Sequence, residues 1–178
     1  LPYGLMVGKL HDVRQGHYVD LPVIAFTNTA MGGFDILLAY DNSLLSFTEA
    51  SMGTYFSGCG WEYFTYRHGS HGNCGNGCPS GEIRVTGIAE TNNGPFHPNL
   101  ECIALGADET LFNLTFFVTT DVNDNDMFAK VSFFWMDCGD NTISSFAGDS
   151  LFMSQTIWNY YGNDGMDSRS EERRVGKE

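Results

Sequence analysis

The sequence predicts an all-β sandwich of about nine short strands, and three observations carry that prediction. Helical periodicity is nearly absent: no long window repeats apolar residues at i, i+3, i+4 and i+7. Short runs rich in β-branched and aromatic residues recur instead, separated by Gly, Asn and Asp clusters. The chain also has 178 residues, 42% of them hydrophobic, which makes it one domain by length. Such a domain buries about two-thirds of the surface its unfolded chain exposes.

The strands follow in order. "YGLMVGKL" leads to a polar turn at Arg14-Gln15-Gly16, and "HYVDLPVIAFTN" then places Val19, Leu21, Val23 and Ala25 on one face. Pro22 lacks an N–H, so it marks an edge strand or a bulge. "GGFDILLAYD" sets Phe34, Ile36, Leu38 and Tyr40 against Gly33, Asp35, Leu37 and Ala39. Asp41-Asn42-Ser43 forms a turn into "SLLSFTEA". "WEYFTYR", "GEIRVTGIAE", "LFNLTFFVTT", "AKVSFFWMD" and "SLFMSQTIW" complete the set. Such regular spacing of short strands indicates a sandwich. The domain is expected over residues 1–162, with 163–178 as a disordered tail.

Charge and composition exclude some functions. The net charge is −13 and only nine residues are Lys or Arg, so the basic footprint that phosphate backbones require is missing. Nucleic acid and an anionic membrane surface are therefore not expected partners. No apolar run approaches the ~18 residues of a membrane span. Four of the nine basic residues lie in the last ten, "RSEERRVGKE". This ending resembles the in-frame translation of a sequencing adapter, so residues 169–178 are read as an artefact, with the gene expected to run on beyond residue 168. There is no starting Met or signal peptide, and the N-terminus reads as processed or trimmed.

Five cysteines, at 59, 74, 78, 102 and 138, sit among Gly, Asn and Pro in an acidic chain, as in an exported protein with disulfides. A Cys74–Cys78 bridge would close a tiny loop, worth only ~2 kcal/mol of chain entropy. A Cys59–Cys138 bridge would close a long one, worth ~4.5 kcal/mol. The longer bridge is the preferred structural candidate of the two.

The motifs with chemical potential mostly read as structure. His68, His71, Cys74 and Cys78 could supply four zinc ligands, but their spacing matches no standard zinc module. "DVNDND" opens like a calcium loop with Asp121, Asn123 and Asn125, yet position six is Asp126 in place of Gly and position twelve is Ser132 in place of Glu. A hairpin turn is the better reading. "NLTF" at Asn113 fits the glycan acceptor pattern, but plain strand sequence is the preferred reading. No Gly-x-Ser-x-Gly elbow and no Cys/His signature appears, so no enzyme, metal or cofactor is expected. Around "CGWEYFTYR", strand alternation puts Trp61, Tyr63 and Thr65 on one face and Glu62, Phe64 and Tyr66 on the other. Most of these rings are read as core. Trp61, Tyr63 and Tyr66 are also the candidate platform for stacking on a polysaccharide.

Three segments resemble a cohesin domain, the sandwich that receives dockerin modules. "GHYVDLPVIAFTN" is similar to the family's G-D-x-V-x-(I/V)-P-V strand, with His17 replacing Asp. "GGFDILLAYDNSLLSFTEASMG" resembles the strand that ends in Tyr-Asp before a turn and a second strand. "GEIRVTGIAETNNG" resembles the strand ending in Ala-Glu, followed by "LFNLTFFV". The resemblance covers roughly residues 3–161, while "GNCGNGCPSG" and "FFWMDCGDNTISS" are not standard features of the family.

The resemblance implies a nine-stranded jelly-roll sandwich without catalytic activity, exported to the cell surface or medium. It implies a dockerin-type partner, with calcium carried by that partner, docked on the outer face of one sheet. Gly33, Asp35, Leu37, Arg84, Ile88, Glu90 and Asn92 are the candidate contacts, with Leu37 and Ile88 supplying apolar area. Asp35 and Glu90 match acidic family positions, whereas Gly33 stands where the family has Asn. A polysaccharide-binding module and a ligand-free stalk domain are the alternatives.

Overall fold

The computed structural model of the chain describes residues 3–27, 30–69, 81–91, 109–120 and 128–153. Within them lie ten strands and one short helix. The strands are β1 (Tyr3–Val7), β2 (Tyr18–Thr27), β3 (Met31–Tyr40), β4 (Leu45–Met52), β5 (Tyr63–His68), β6 (Glu82–Ile88), β7 (Glu109–Val118), β8 (Val131–Phe133), β9 (Thr142–Ser145) and β10 (Leu151–Met153). The helix, α1 (Thr54–Gly58), links β4 to β5 and was not predicted. No described helix is long and apolar enough to cross a membrane.

Two antiparallel sheets form the sandwich. One has the order β1-β2-β7-β4; the other has β10-β9-β3-β6-β5, with β8 also on β3. β8 and β9 pair with the same strand, Phe133 opposite Leu38 and Thr142 opposite Asp35. They are two halves of one interrupted strand, so the predicted count of nine holds once they are joined. The predicted strand "AKVSFFWMD" therefore ends early, at Phe133, and the chain leaves the sheet over residues 134–141 before re-entering as β9.

Alternation explains the core. Leu21, Val23 and Ala25 of β2 face Phe34, Ile36 and Leu38 of β3 and Ile83 and Val85 of β6 across the sandwich, all buried in one cluster. Rings join the sheets: Phe34 stacks on Phe112 at 5.7 Å, and Phe47 meets Tyr66 edge-on at 5.6 Å. Gly87 makes room for this packing, because a Cβ there would lie 2.4 Å from the Phe34 ring. Pro22 lies on an interior strand, flanked by a register shift at Val23/Ile24. The bulge half of its prediction holds and the edge half does not. Asp41 forms the predicted turn: its Oδ1 accepts from the Ser43 N–H at 3.0 Å and its carbonyl from the Leu45 N–H at 2.9 Å.

The expected Cys59–Cys138 bridge is absent. Cys138 is a free, exposed thiol, whereas Cys59 is buried and disulfide-bonded to a residue outside the described ones. Cys138 sits at the tip of the 134–141 segment, away from the core that holds Cys59. Cys74, Cys78, His71 and the loop 121–126 lie outside the described residues. His68, the described member of the zinc quartet, packs its ring edge-on to Phe47 at 4.8 Å.

Candidate functional site

Strand register assembles one broad surface, the outer face of the six-stranded sheet. One row across it runs Tyr63, Ile88, Gly33, Ser144, Leu151; the next runs Thr65, Thr86, Asp35, Thr142, Met153. Toward the two ends of this surface lie open apolar side chains: Tyr63 is 42% exposed and Ile88 37% at one end, Leu151 68% and Met153 57% at the other. Gly33, Ser144, Thr86 and Thr142 form the middle together with the ion-paired Asp35. At neighbouring-strand spacing of about 4.8 Å, the five strands make a floor roughly 19 Å wide.

Gly33 shapes the centre of the upper row. A Cβ there would lie 3.1 Å from both the Gly87 carbonyl and Ser144 Oγ, so a side chain would have to displace the serine hydroxyl. The notch is therefore a packing consequence of Ser144 on β9, a neighbour that sequence proximity could not reveal.

Asp35 does face outward, as predicted, but it is not a free acid. Arg84 Nη1 donates to Asp35 Oδ2 at 2.8 Å and Thr86 Oγ1 donates to Oδ1 at 3.0 Å. The other end of the guanidinium, Nη2, donates to Asp140 Oδ1. Asp140 is 2% exposed, and its Oδ2 also accepts the Met136 and Asp137 N–H groups at 2.7 and 2.9 Å. Burial alone would push the Asp140 carboxyl up, but these N–H groups and Arg84 outweigh it and hold it below its ordinary value. Burial works against the Arg84 charge too; its two carboxylates win and raise its pKa. Glu82, buried at the end of the same row of side chains, is raised by burial first and by Asp140 second, with Arg84 opposing.

Other predicted contacts are placed differently. Leu37 alternates outward yet is 0% exposed and stands apart from the inter-sheet core, because the 134–141 segment lies over it. It offers no apolar area to a partner, which corrects the expectation made for it. Glu90 follows β6 half-buried, and Asn92 lies outside the described residues. The aromatic platform is not assembled either. Trp61 precedes β5, escapes its alternation, and packs against Phe34 and Phe56 at 5.7 and 5.2 Å. Tyr66 packs against Phe47 in the core, leaving Tyr63 as the open ring of the three. Among the described residues no group of three or more His, Cys, Asp or Glu side chains is arranged to hold a metal.

Two antiparallel sheets closing on an aromatic core define an all-β sandwich. More specifically, the chain has the cohesin fold. It is similar to the cohesin of a Clostridium thermocellum Coh-OlpA–Doc918 complex, with a TM-score of 0.62, 17% identity, and coverage of 86% of this chain and 93% of that one. The sixth cohesin of Acetivibrio cellulolyticus scaffoldin B, solved in complex with a Cel5 dockerin mutant, matches with a TM-score of 0.58, 16% identity, and 83% and 89% coverage. A non-cellulosomal cohesin from the archaeon Archaeoglobus fulgidus matches with a TM-score of 0.51, 18% identity, and 85% and 84% coverage. No family model and no curated protein matches the sequence.

Proposed function

We propose that this chain is a non-catalytic docking module of an exported protein, which receives a dockerin-type partner on the outer face of its six-stranded sheet. The observation that carries this reading is that face itself: exposed Tyr63, Ile88, Leu151 and Met153 bracket a hydroxyl-lined floor in a fold shared with dockerin-bound cohesins. Apolar anchors with a polar interior match the composition of specific protein interfaces. Gly33, Ile88 and Tyr63 supply the contact centre and Asp35 and Glu90 its acidic fringe, with Asn92 kept as a candidate contact from the sequence. The partner would bring its own calcium. The domain is taken to run over residues 1–162, followed by a tail at 163–178.

The polysaccharide reading receives less support, because stacking along a glycan needs several open rings and two of the three candidates face the core. The test is calorimetric titration of the chain with calcium-loaded dockerins, including the Cel5 and Doc918 dockerins. Saturable binding that Ile88→Asp weakens at least tenfold is expected. Absence of binding at high micromolar concentration across the panel would overturn the proposal.

A further inference from the structure

The strand that lines β3 leaves the sheet between Phe133 and Thr142. Those two residues stand opposite Leu38 and Asp35, so a continuous ladder would need only two residues where the chain has eight. The excess is held down at both ends. On the side away from β6, Leu37 keeps its backbone bonds without a strand: its carbonyl accepts the Phe134 N–H at 3.0 Å and its N–H donates to Asn141 Oδ1 at 2.9 Å. Asn141 Nδ2 donates to the Phe134 carbonyl at 2.7 Å, closing the neck of the excursion. Asp140, almost wholly buried, ties its far side to Arg84 on β6. The result is a strap across the outer face that covers Leu37 and Arg84 and turns Phe134 and Met136, 36% and 50% exposed, toward solvent.

Building on the docking reading, we propose that this strap is the specificity element of the docking face, restricting a partner to the half that carries Gly33 and Asp35. The strapped Leu37 row lies four positions along β3 from the Gly33 row, about 13 Å at ~3.3 Å per residue. An α-helix with its side chains is about 10–12 Å across. The strip left open therefore takes one amphipathic helix lying across the strands. Its apolar residues would meet Ile88 and Tyr63, and the strap would form the opposite lip. A partner that needs the Leu37 half as well meets the strap in place of the sheet.

The test replaces residues 134–141 by Thr-Val, the outward-inward pair the ladder calls for, and measures affinity for the Cel5 and Doc918 dockerins by calorimetry. The shortened chain, shown folded by circular dichroism, is expected to bind at least tenfold more tightly than wild type. Leu37→Asp in the shortened background should erase that gain. Asp140→Ala, which removes the strap's tie to Arg84 without shortening it, should strengthen binding at least threefold and decides the matter if the shortened chain does not fold. Wild-type binding that neither change strengthens would overturn this proposal alone. Silence from wild type and both variants would overturn the docking reading and this proposal with it.

Discussion

Asn141→Ala is the sharpest probe of the strap's construction. Asn141 is 8% exposed, sits at φ 59°, and uses both ends of its amide. Truncation leaves the Leu37 N–H with no acceptor in a buried setting, a desolvation cost of about 1–3 kcal/mol. The Phe134 carbonyl loses its donor, worth about 1 kcal/mol. Alanine in the left-handed region adds about 1 kcal/mol, because its Cβ crowds the following carbonyl where asparagine is tolerated. The expected total is about 3–5 kcal/mol, a large share of the ~5–15 kcal/mol that holds a domain together. At a urea slope of about 2 kcal/mol/M, the midpoint should fall by about 1.5–2.5 M. Asn141→Gly, which removes the backbone strain but neither lost bond, should recover roughly 1 kcal/mol of this. Amide exchange at Leu37 should accelerate in both variants. A loss under about 0.5 kcal/mol with Leu37 exchange unchanged would refute the claim that this side chain stands in for the missing strand.

Three further outcomes follow from the packing and electrostatics. The Glu82 carboxyl is raised above its ordinary 4.5, so folding favours its protonated form and stability falls as pH rises from about 4.5 through the raised value. Asp140, held below 3.8, has the opposite sign: its contribution is full above that value and lost as pH falls through the lowered one. Glu82→Gln should therefore raise the Tm at pH 7 and leave it little changed near pH 4; a lower Tm at pH 7 would contradict the assignment. Gly87→Ala forces a methyl into the Phe34 ring and should cost about 1–3 kcal/mol in urea unfolding, with Phe34→Leu in the same chain recovering part of it. Trp61→Ala, at a half-buried ring packed on the core, should cost about 2–3 kcal/mol of stability, whereas Tyr63→Ala should cost less than about 0.5 kcal/mol and act on binding. The reverse ranking would restore the aromatic platform.

Most of the fold was legible because period-2 alternation is a local signal. It places Val23, Phe34, Ile36 and Leu38 inside and Asp35 outside, where the structure has them. What escaped depends on neighbours distant in sequence. Leu37 reads as outward from its parity, and only the return of residue 141 over it, 104 positions later, explains its burial. Trp61 was misassigned because alternation was counted from two residues before β5 begins. β9 was missed because "FFWMDCGDN" obscured the continuation of a strand that "VSF" had opened. An asparagine followed by a short β-branched run at "NTISS" was the available clue. The long disulfide failed for a related reason: loop entropy ranks bridges by length, but whether two cysteines meet is decided by where the 134–141 segment carries Cys138.

The central claim is that a protein partner docks on the outer face of the six-stranded sheet. Amide hydrogen exchange of the chain with and without a bound calcium-loaded dockerin tests it most directly. Protection confined to β3, β5 and β6 around Gly33, Tyr63 and Ile88 is the predicted footprint. Protection centred instead on the outer face of β2 and β7, around Tyr18 and Phe117, would contradict it.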